Sequence, residues 1–248
     1  MADLEIFGVP FSNYVRSVRM LCEEKGVPYK LTPSLPQSPE VKAIHPAGQI
    51  PVAKHGDVAL FESKAIATYI DRAFPGTMFI PKDPVAHALV EQWVSYGNVK
   101  VDRWIMREFV VPSVFFDKAK GPDTAKIAAA LPEIEKCCAV LDAAVAKTGF
   151  LVGSDITYAD MNVLPMLATL QNFPAGKVHE DCNSPEYTYD GFNLENCYVT
   201  FTGGTGTLDL VFPPSMAGYV YEVYGHDKIV SDDSAGAAPS GGMVGGNT

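Results

Sequence analysis

The stretch Gly48–Ile66, GQIPVAKHGDVALFESKAI, contains two short apolar segments around a turn, followed by the start of a helix. Val52–Lys54 and Val58–Phe61 flank His55–Asp57, which is the pattern of a β-hairpin with a glycine-containing turn. Pro51 opens the first of these strands, and a proline at such a position often follows a cis peptide bond. The stretch therefore predicts a two-stranded hairpin that leads directly into a helix.

The residues before this hairpin predict two more strands and two helices. Leu4–Val9 and Val27–Leu31 have strand patterns, and between them a helix begins at Ser12 and ends at Gly26. The helix carries one apolar stripe, made of Val15, Val18, Leu21 and Cys22. A short helical turn precedes Pro46. The order β-α-β-α-β-β-α within about 75 residues predicts a compact mixed α/β domain.

The next part of the chain is predicted to be helical. Asp83-Pro84 is a strong helix start, because an acceptor side chain precedes a proline at the first helical position. Thr157 and Asp160 form a capping box at the start of another helix. The predicted helices span about 84–109, 123–147 and 157–171. The predicted domains are an α/β domain over 1–75, a linker over 76–83 and a helical domain over 84–176.

The composition changes near residue 176. All five arginines precede residue 108. Beyond residue 175 the basic side chains are only Lys177 and Lys228, whereas ten side chains are carboxylates. Aromatic and β-branched runs between glycine and proline turns predict an atypical, acidic, β-prone segment over 177–230. Glycine, serine and alanine dominate 231–248, which predicts a disordered tail. A true extension, a fusion and a frame-shifted end all remain open as origins of this part.

The overall composition limits the classes of function. The chain has 248 residues, of which 47% are hydrophobic and 19% charged, as in a globular protein. A formal net charge of −10 argues against a nucleic-acid surface, and no stretch approaches the roughly 20 apolar residues of a membrane span. The acidic start shows no signal-peptide pattern. Five cysteines at no metal-ligand spacing predict reduced thiols in a cytoplasmic protein without a metal site: Cys22, Cys137, Cys138, Cys182 and Cys197.

Three short segments of the α/β domain have residues suited to one binding site. Ser12 places a hydroxyl at a helix N-terminus, where backbone N–H groups favour an anion such as a thiolate. In Gln49-Ile50-Pro51, a cis proline would expose the preceding backbone groups to a peptide-like ligand. Glu62-Ser63 places a carboxylate and a hydroxyl at a helix start, where they could bind an ammonium and a carboxylate group. Each segment alone is more typical of an ordinary structural feature: Ser12 of a helix cap, Pro51 of a strand start and Glu62-Ser63 of a helix entry.

Together, in this order and spacing, these segments resemble the glutathione transferase family over residues 1 to about 175. The matching residues of the first half are Phe7-Gly8, Ser12, Glu24-Lys25-Gly26, Ser38-Pro39-Glu40, Pro46, Gly48-Gln49-Ile50-Pro51 and Phe61-Glu62-Ser63-Lys64-Ala65-Ile66. Those of the second half are Thr157-Tyr158-Ala159-Asp160 and Pro165. The resemblance implies a thioredoxin-like domain followed by an all-α domain, and it is greatest to the serine-type, phi-like branch.

The resemblance also implies roles for individual residues. Ser12 would donate a hydrogen bond to the sulfur of glutathione, which is a co-substrate, with no separate cofactor. The other implied glutathione contacts come from Gln49, Ile50, Pro51, Glu62 and Ser63. Phi-like members carry a basic residue just before Ser-Pro, and here Pro36-Gln37 stands there. Two alternatives follow: Lys42 would compensate, or the affinity for glutathione would be modest. Arg16, one turn into the first helix, is interpreted as a solvated surface arginine.

A hydrophobic electrophile would bind between the two domains. Phe11, Tyr14, Trp104 and Phe115 are the candidate lining, because aromatic side chains suit apolar substrates. The same four residues could instead be interdomain packing.

The family implies a homodimer that binds neither nucleic acid nor membrane. The predicted activity is conjugation of glutathione to an electrophile. A binding or scaffolding module with little turnover is the alternative, and a thiol-disulfide exchanger is disfavoured because no cysteine stands at the first helix start.

Overall fold

The computed structural model of the chain describes residues 3–117 and 119–171. The predicted segments 177–230 and 231–248 lie outside the described residues. The first half contains β1 (Leu4–Phe7), α1 (Asn13–Lys25), β2 (Tyr29–Thr32), α2 (Pro39–Lys42), β3 (Val52–His55), β4 (Val58–Phe61) and α3 (Ser63–Ala73). This order confirms the predicted α/β unit, including the hairpin of β3 and β4.

The four strands form one mixed sheet in the order β2-β1-β3-β4. β1 runs parallel to β2, with Leu4 opposite Tyr29, and antiparallel to β3, with Leu4 opposite His55. β4 pairs antiparallel with β3 and forms one edge of the sheet. The central strand β1 supplies the apolar core, because Leu4, Ile6 and Phe7 are all buried.

The second half of the described chain is helical, as the sequence predicts. Its elements are α4 (Pro84–Tyr96), a π-helix (Gly97–Val110), α5 (Val111–Val114), α6 (Thr124–Val145) and α7 (Tyr158–Gln171). Asp83 caps α4 by accepting from the backbone N–H groups of Val85 and Ala86. The first helical run therefore begins where predicted but continues to residue 114 instead of 109, because Pro112 is accommodated near its end.

The π-helix is a feature that apolar spacing did not predict. At its start, a Cβ on Gly97 would lie 2.5 Å from Oδ1 of Asn162 on α7 and 3.0 Å from Cγ1 of Val163. Only glycine permits so close an approach between two helices. The amide nitrogen of Asn162 also donates to Oδ1 of Asn98 at 3.1 Å. The π-helix thus begins at a close approach of the run to α7.

Helix α1 packs against both α3 and α7. The predicted apolar stripe of α1 is fully buried. The interpretation of Arg16 as a surface residue is wrong, because its Nη1 donates to the carbonyl of Pro165 at 3.0 Å and to Oγ1 of Thr169 at 3.2 Å. Burial lowers the pKa of Arg16 to about 9. The sequence alone did not show that a second face of α1 is covered by α7.

A buried ion pair joins the end of α1 to α3 and to the segment that follows α3. Nζ of Lys25 lies 3.2 Å from Oδ1 of Asp71, and both side chains have no exposed surface. The same ammonium donates to the carbonyl of Thr77 at 2.6 Å. The Asp71 carboxylate accepts from the backbone N–H groups of Phe79 and Ile80 at 3.1 and 3.0 Å. These bonds fix the path of the chain between the two halves.

The predicted capping box at α7 forms in part. The backbone N–H of Thr157 donates to Oδ2 of Asp160 at 2.8 Å, as a capping box requires. The Thr157 hydroxyl, however, donates to the same oxygen at 2.9 Å instead of accepting from the Asp160 N–H. The other carboxylate oxygen accepts from the N–H of Leu151 at 2.8 Å. Asp160 therefore holds the preceding loop as well as the helix, and burial raises its pKa.

The buried ion pair leads to a prediction about stability. Asp71→Ala removes the counter-charge of the buried Lys25 ammonium, which keeps its bond to the Thr77 carbonyl, and leaves two buried backbone N–H groups without their acceptor. It should therefore lower the free energy of unfolding by about 3–5 kcal/mol. Urea unfolding measured by circular dichroism checks this value. The matched control is Asp142→Ala, which removes an exposed carboxylate from α6 and should cost less than about 0.5 kcal/mol. Equal losses in the two variants would contradict the proposed role of Asp71.

Candidate functional site

Ser12 stands at the N-cap of α1, but its hydroxyl does not cap the helix. The residue has the extended backbone typical of an N-cap, and its carbonyl accepts from the N–H of Arg16 at 2.9 Å. Its side chain accepts no N–H of the first turn, and it makes no other hydrogen bond to the described residues. By contrast, the N-cap side chains of α4 and α6, Asp83 and Asp123, both accept backbone N–H groups. The hydroxyl of Ser12 is thus available to a ligand.

The first turn of α1 favours a negative charge near this hydroxyl. The first N–H groups of a helix have no partner within the helix, and the helix dipole adds partial positive charge there. No acidic side chain lies in the first turn of α1 to neutralise it. Ser12 is half-buried. A thiolate placed beside Ser12 would therefore meet both a hydroxyl donor and the positive end of α1.

The segment Gln49–Pro51 lies next to α1, and the contact passes through Gly8. A Cβ on Gly8 would lie 2.4 Å from Cγ2 of Val15 and 3.5 Å from Cβ of Ile50. The Ile50–Pro51 peptide bond is cis, as the sequence predicts. Pro51 is buried, Ile50 packs on the core around Phe7, and Gln49 is exposed. The structure thus brings the second predicted segment beside α1.

The third predicted segment, Glu62-Ser63, is supported by the helical half. The Ser63 carbonyl accepts a hydrogen bond at 3.2 Å from the hydroxyl of Tyr158, which lies on α7. That hydroxyl lies 3.4 Å from Oγ of Ser17 on α1. Tyr158 is fully buried, so this link from α1 to the start of α3 is shielded from water. Glu62 has a φ of 67°, an uncommon backbone conformation for a residue with a side chain.

His45 lies shortly before the second segment and contacts the third, a contact that the sequence analysis missed. The backbone N–H of Ala47 donates to its Nδ1 at 3.0 Å. Its Nε2 lies 3.6 Å from Oε1 of Glu62, and its ring centroid lies 4.9 Å from that of Phe61. The one sequence signal is its position four residues before Gln49. A histidine at the start of a loop is too common to be informative on its own.

The structure places Gln37, which stands where phi-like members carry a basic residue, differently from Lys42, the candidate that would compensate. Gln37 folds back on the neighbouring loop, where its Nε2 donates to the carbonyl of Ala47 at 2.7 Å. Lys42 is the exposed last residue of α2 and makes no ion pair with the described residues. Gln37 therefore stabilises the loop through this hydrogen bond, and the compensating role of Lys42 stays a prediction.

The four aromatic residues expected to bind the electrophile do not form one cluster. Phe11 and Phe115 are exposed, whereas Tyr14 and Trp104 are half-buried. No ring-to-ring contact joins any two of them within residues 3–117 and 119–171. The guanidinium of Arg103 lies 4.7 Å from the ring of Trp104. An electrophile site lined by these four residues remains a prediction.

Tyr14 is held in its protonated form by two features of the structure that the sequence analysis missed. Burial raises its pKa above the usual 10, and the negative charge of Asp102 on the π-helix adds to this rise. Arg107 donates from Nε to Oδ2 of Asp102 at 2.9 Å. The other carboxylate oxygen of Asp102 is buried and has no hydrogen-bond partner among the described residues. Tyr14 therefore offers a neutral hydroxyl where α1 meets the π-helix.

The cysteines in the described part of the chain are not placed for catalysis. Cys22, Cys137 and Cys138 are all buried and unpaired with each other. Burial is the main cause that raises the pKa of each thiol. Residues 3–117 and 119–171 contain no cluster of side chains that could hold a metal ion. Among the helices described, none is long and apolar enough to cross a bilayer.

The fold and the three convergent segments define a thioredoxin-like domain joined to an all-α domain. Residues 6–78 match the family model for the glutathione S-transferase N-terminal domain, and residues 105–185 match that for the C-terminal domain. Glutathione S-transferase 3 of Zea mays is 32% identical over 182 residues, which cover 68% of this chain and 80% of that protein. The chain belongs to the glutathione S-transferase family.

Two further comparisons describe the range of its relatives. The crystal structure of glutathione transferase F7 from Populus trichocarpa has a TM-score of 0.60 and 28% sequence identity, and covers 71% of this chain and 86% of that one. Elongation factor 1-gamma of Prunus avium is 27% identical over 153 residues, which cover 58% of this chain and 34% of that protein. Relatives with this fold are therefore not all named as transferases.

The contact through Gly8 leads to a second prediction. Gly8→Ala places a methyl group too close to Val15, so α1 must shift relative to Ile50, at a cost of about 1–3 kcal/mol in the free energy of unfolding. Urea unfolding measures this cost. Val15→Ala removes the clashing methyl group, so the double variant should lose less than the sum of the two single variants. Fully additive losses would show that Gly8 does not carry the contact.

Proposed function

We propose that this chain is a serine-type glutathione transferase. The observation that carries the proposal is the Ser12 hydroxyl, which stands at the N-terminus of α1 and makes no capping bond. In the proposed mode of binding, this hydroxyl donates a hydrogen bond to the sulfur of glutathione, and the helix dipole favours the thiolate. Ser12 itself does not become a nucleophile.

The proposed activation lowers the pKa of the glutathione thiol. A free thiol has a pKa of about 8.5, so only a few per cent is ionised at neutral pH. A decrease of about two units would raise the thiolate fraction by about tenfold or more. The thiolate then attacks an electrophilic carbon, a carbon–sulfur bond forms, and the leaving group departs with the bonding electrons. Binding both reactants at one site supplies the remaining acceleration.

The other predicted residues would orient glutathione. Gln49 would contact the glycyl end, the Ile50 backbone beside Pro51 would contact the cysteinyl part, and Glu62 with Ser63 would hold the γ-glutamyl end. Support comes from the structure's placement of Ile50 beside α1 and from the Tyr158 link between α1 and Ser63. A hydrophobic electrophile would approach from the side of Phe11, Tyr14, Trp104 and Phe115. We further propose a cytoplasmic location, where thiols such as the three described here stay reduced.

A binding or scaffolding module with little turnover is the second candidate. The relatives named elongation factor 1-gamma favour it, because this fold occurs in proteins that are not named for transferase activity. The position of Gln37, where phi-like members are expected to carry a basic residue, also favours weaker binding of glutathione. The two candidates differ in turnover with a generic electrophile at saturating glutathione.

The serine-type mechanism leads to the third prediction. Ser12→Ala should lower the rate of conjugation of glutathione to an activated aryl halide by about 10- to 100-fold, because the donor to the thiolate is lost. Ser12→Thr keeps a hydroxyl and should retain more activity than the alanine variant. The control is Ser154→Ala in an exposed loop, which should not change the rate. No turnover in the parent protein, together with saturable glutathione binding, would favour the second candidate.

We also propose that the chain forms a homodimer through the β4 edge of the sheet and the adjoining part of α4. The exposed apolar residues of these two elements are Val58, Phe61, Val85 and Leu89. An ion pair between Lys64 and Glu91 holds α3 and α4 together beside them. An edge strand and exposed apolar side chains on one part of the surface are features of protein interfaces.

The homodimer leads to the fourth prediction. The double variant Val85→Asp with Leu89→Asp places two carboxylates in the proposed interface, so its dimer dissociation constant should rise by at least about tenfold. Sedimentation velocity at several protein concentrations measures this constant. Val140→Asp changes an exposed apolar residue of α6 and is the matched control. A parent protein that sediments as a monomer would contradict the proposal.

A further inference from the structure

We propose that His45 is a positioning residue that orients the Glu62 carboxylate for the ammonium group of the γ-glutamyl end of glutathione. This inference rests on the proposed function. It assigns a role to a residue that neither the motif pattern nor the family matches single out.

The Ala47 N–H determines which ring nitrogen of neutral His45 carries the proton. Because this N–H donates to Nδ1 at 3.0 Å, Nδ1 acts as an acceptor. A neutral imidazole has one donor and one acceptor nitrogen, so the proton is on Nε2. Nε2 is the nitrogen that lies 3.6 Å from Oε1 of Glu62. The turn at Ala47 thereby presents a donor to the carboxylate.

The two partners differ greatly in solvent exposure, so one of them is held by packing and the other is not. The His45 side chain is 5% exposed and is packed against the ring of Phe61, whereas the Glu62 side chain is 65% exposed. A buried ring cannot follow an exposed carboxylate, so His45 is the fixed member of the pair. Within the described residues, the His45 imidazole is also the one basic side chain that lies within 4.0 Å of the Glu62 carboxylate.

The length of the contact leaves the carboxylate free to bind a ligand. A separation of 3.6 Å exceeds a hydrogen bond, so the interaction is an electrostatic attraction that does not saturate the oxygen. It favours those orientations of Glu62 that keep the carboxylate near the loop 45–49. Restricting a side chain before binding lowers the entropy that the ligand must overcome. An ammonium group would therefore find Glu62 already oriented beside the Gln49–Pro51 segment.

Two substitutions separate the two contacts of His45. His45→Asn keeps an acceptor oxygen where Nδ1 lies, so the bond from Ala47 can persist, but it is too short to reach Glu62. His45→Gln can reach towards Glu62 with its amide but lacks an acceptor at the Nδ1 position. We expect the asparagine variant to weaken binding of glutathione about two- to fivefold, the range of an exposed charge contact, and the glutamine variant to restore binding while melting at a lower temperature.

The experiment is calorimetric titration of the full chain with glutathione and with its analogue that lacks the α-amino group. His45→Asn should raise the Kd for glutathione and leave the Kd for the analogue unchanged, because only glutathione offers an ammonium to Glu62. A residue that merely supports the fold would change both values alike. The control is His87→Asn, which removes a histidine–glutamate contact of 3.2 Å on α4 and should leave both Kd values unchanged.

The outcomes distinguish this inference from the function on which it rests. An equal rise in both Kd values, or no rise in either, overturns the role of His45 while glutathione binding stands. No saturable binding of glutathione by the parent protein overturns the proposed function and the inference together. As a further test, His45→Asn in a Glu62→Gln background should have no additional effect on the Kd for glutathione.

Discussion

The carboxylate of Asp71 is the group on which the relation between the two halves of the described chain depends. It lies fully buried against Lys25 at the end of α1 and accepts the N–H groups of Phe79 and Ile80. The Phe79 carbonyl in turn accepts from the N–H of Tyr158, the first residue of α7. A buried charge requires partners on every side, so this one fixes α1, α3, the connecting segment and α7 relative to one another.

The candidate site depends on this arrangement because its residues come from separate elements. Ser12 lies at the start of α1, Ile50 before β3, and Glu62 before α3. Gly8 permits the close approach of α1 and Ile50, and Tyr158 of the helical half links α1 to the Ser63 carbonyl. The helical half therefore supports the two segments that are predicted to bind glutathione at the starts of α1 and α3.

In the proposed mode of binding, recognition is stronger at one end of glutathione than at the other. At the glycyl end, Gln37 is occupied by the loop carbonyl of Ala47, and Lys42 is exposed. At the γ-glutamyl end, Glu62 has a fixed neighbour in His45. This distribution of contacts favours ligands that have a free amino group. It also suits a protein that binds glutathione whether its turnover is fast or slow.

The three segments of the candidate site are a prediction that came from their combined resemblance to one family. The sequence by itself determined the order of strands and helices, the hairpin at Val52–Phe61 and the start of α4. These features depend on local patterns of apolar spacing, capping and turn residues, which act between neighbours in the chain. Only the tertiary structure decided the burial of Arg16, the π-helix at Gly97 and the contact of His45 with Glu62. Each of these depends on residues far apart in sequence, and the same side chains would be exposed or unremarkable if the helices packed differently.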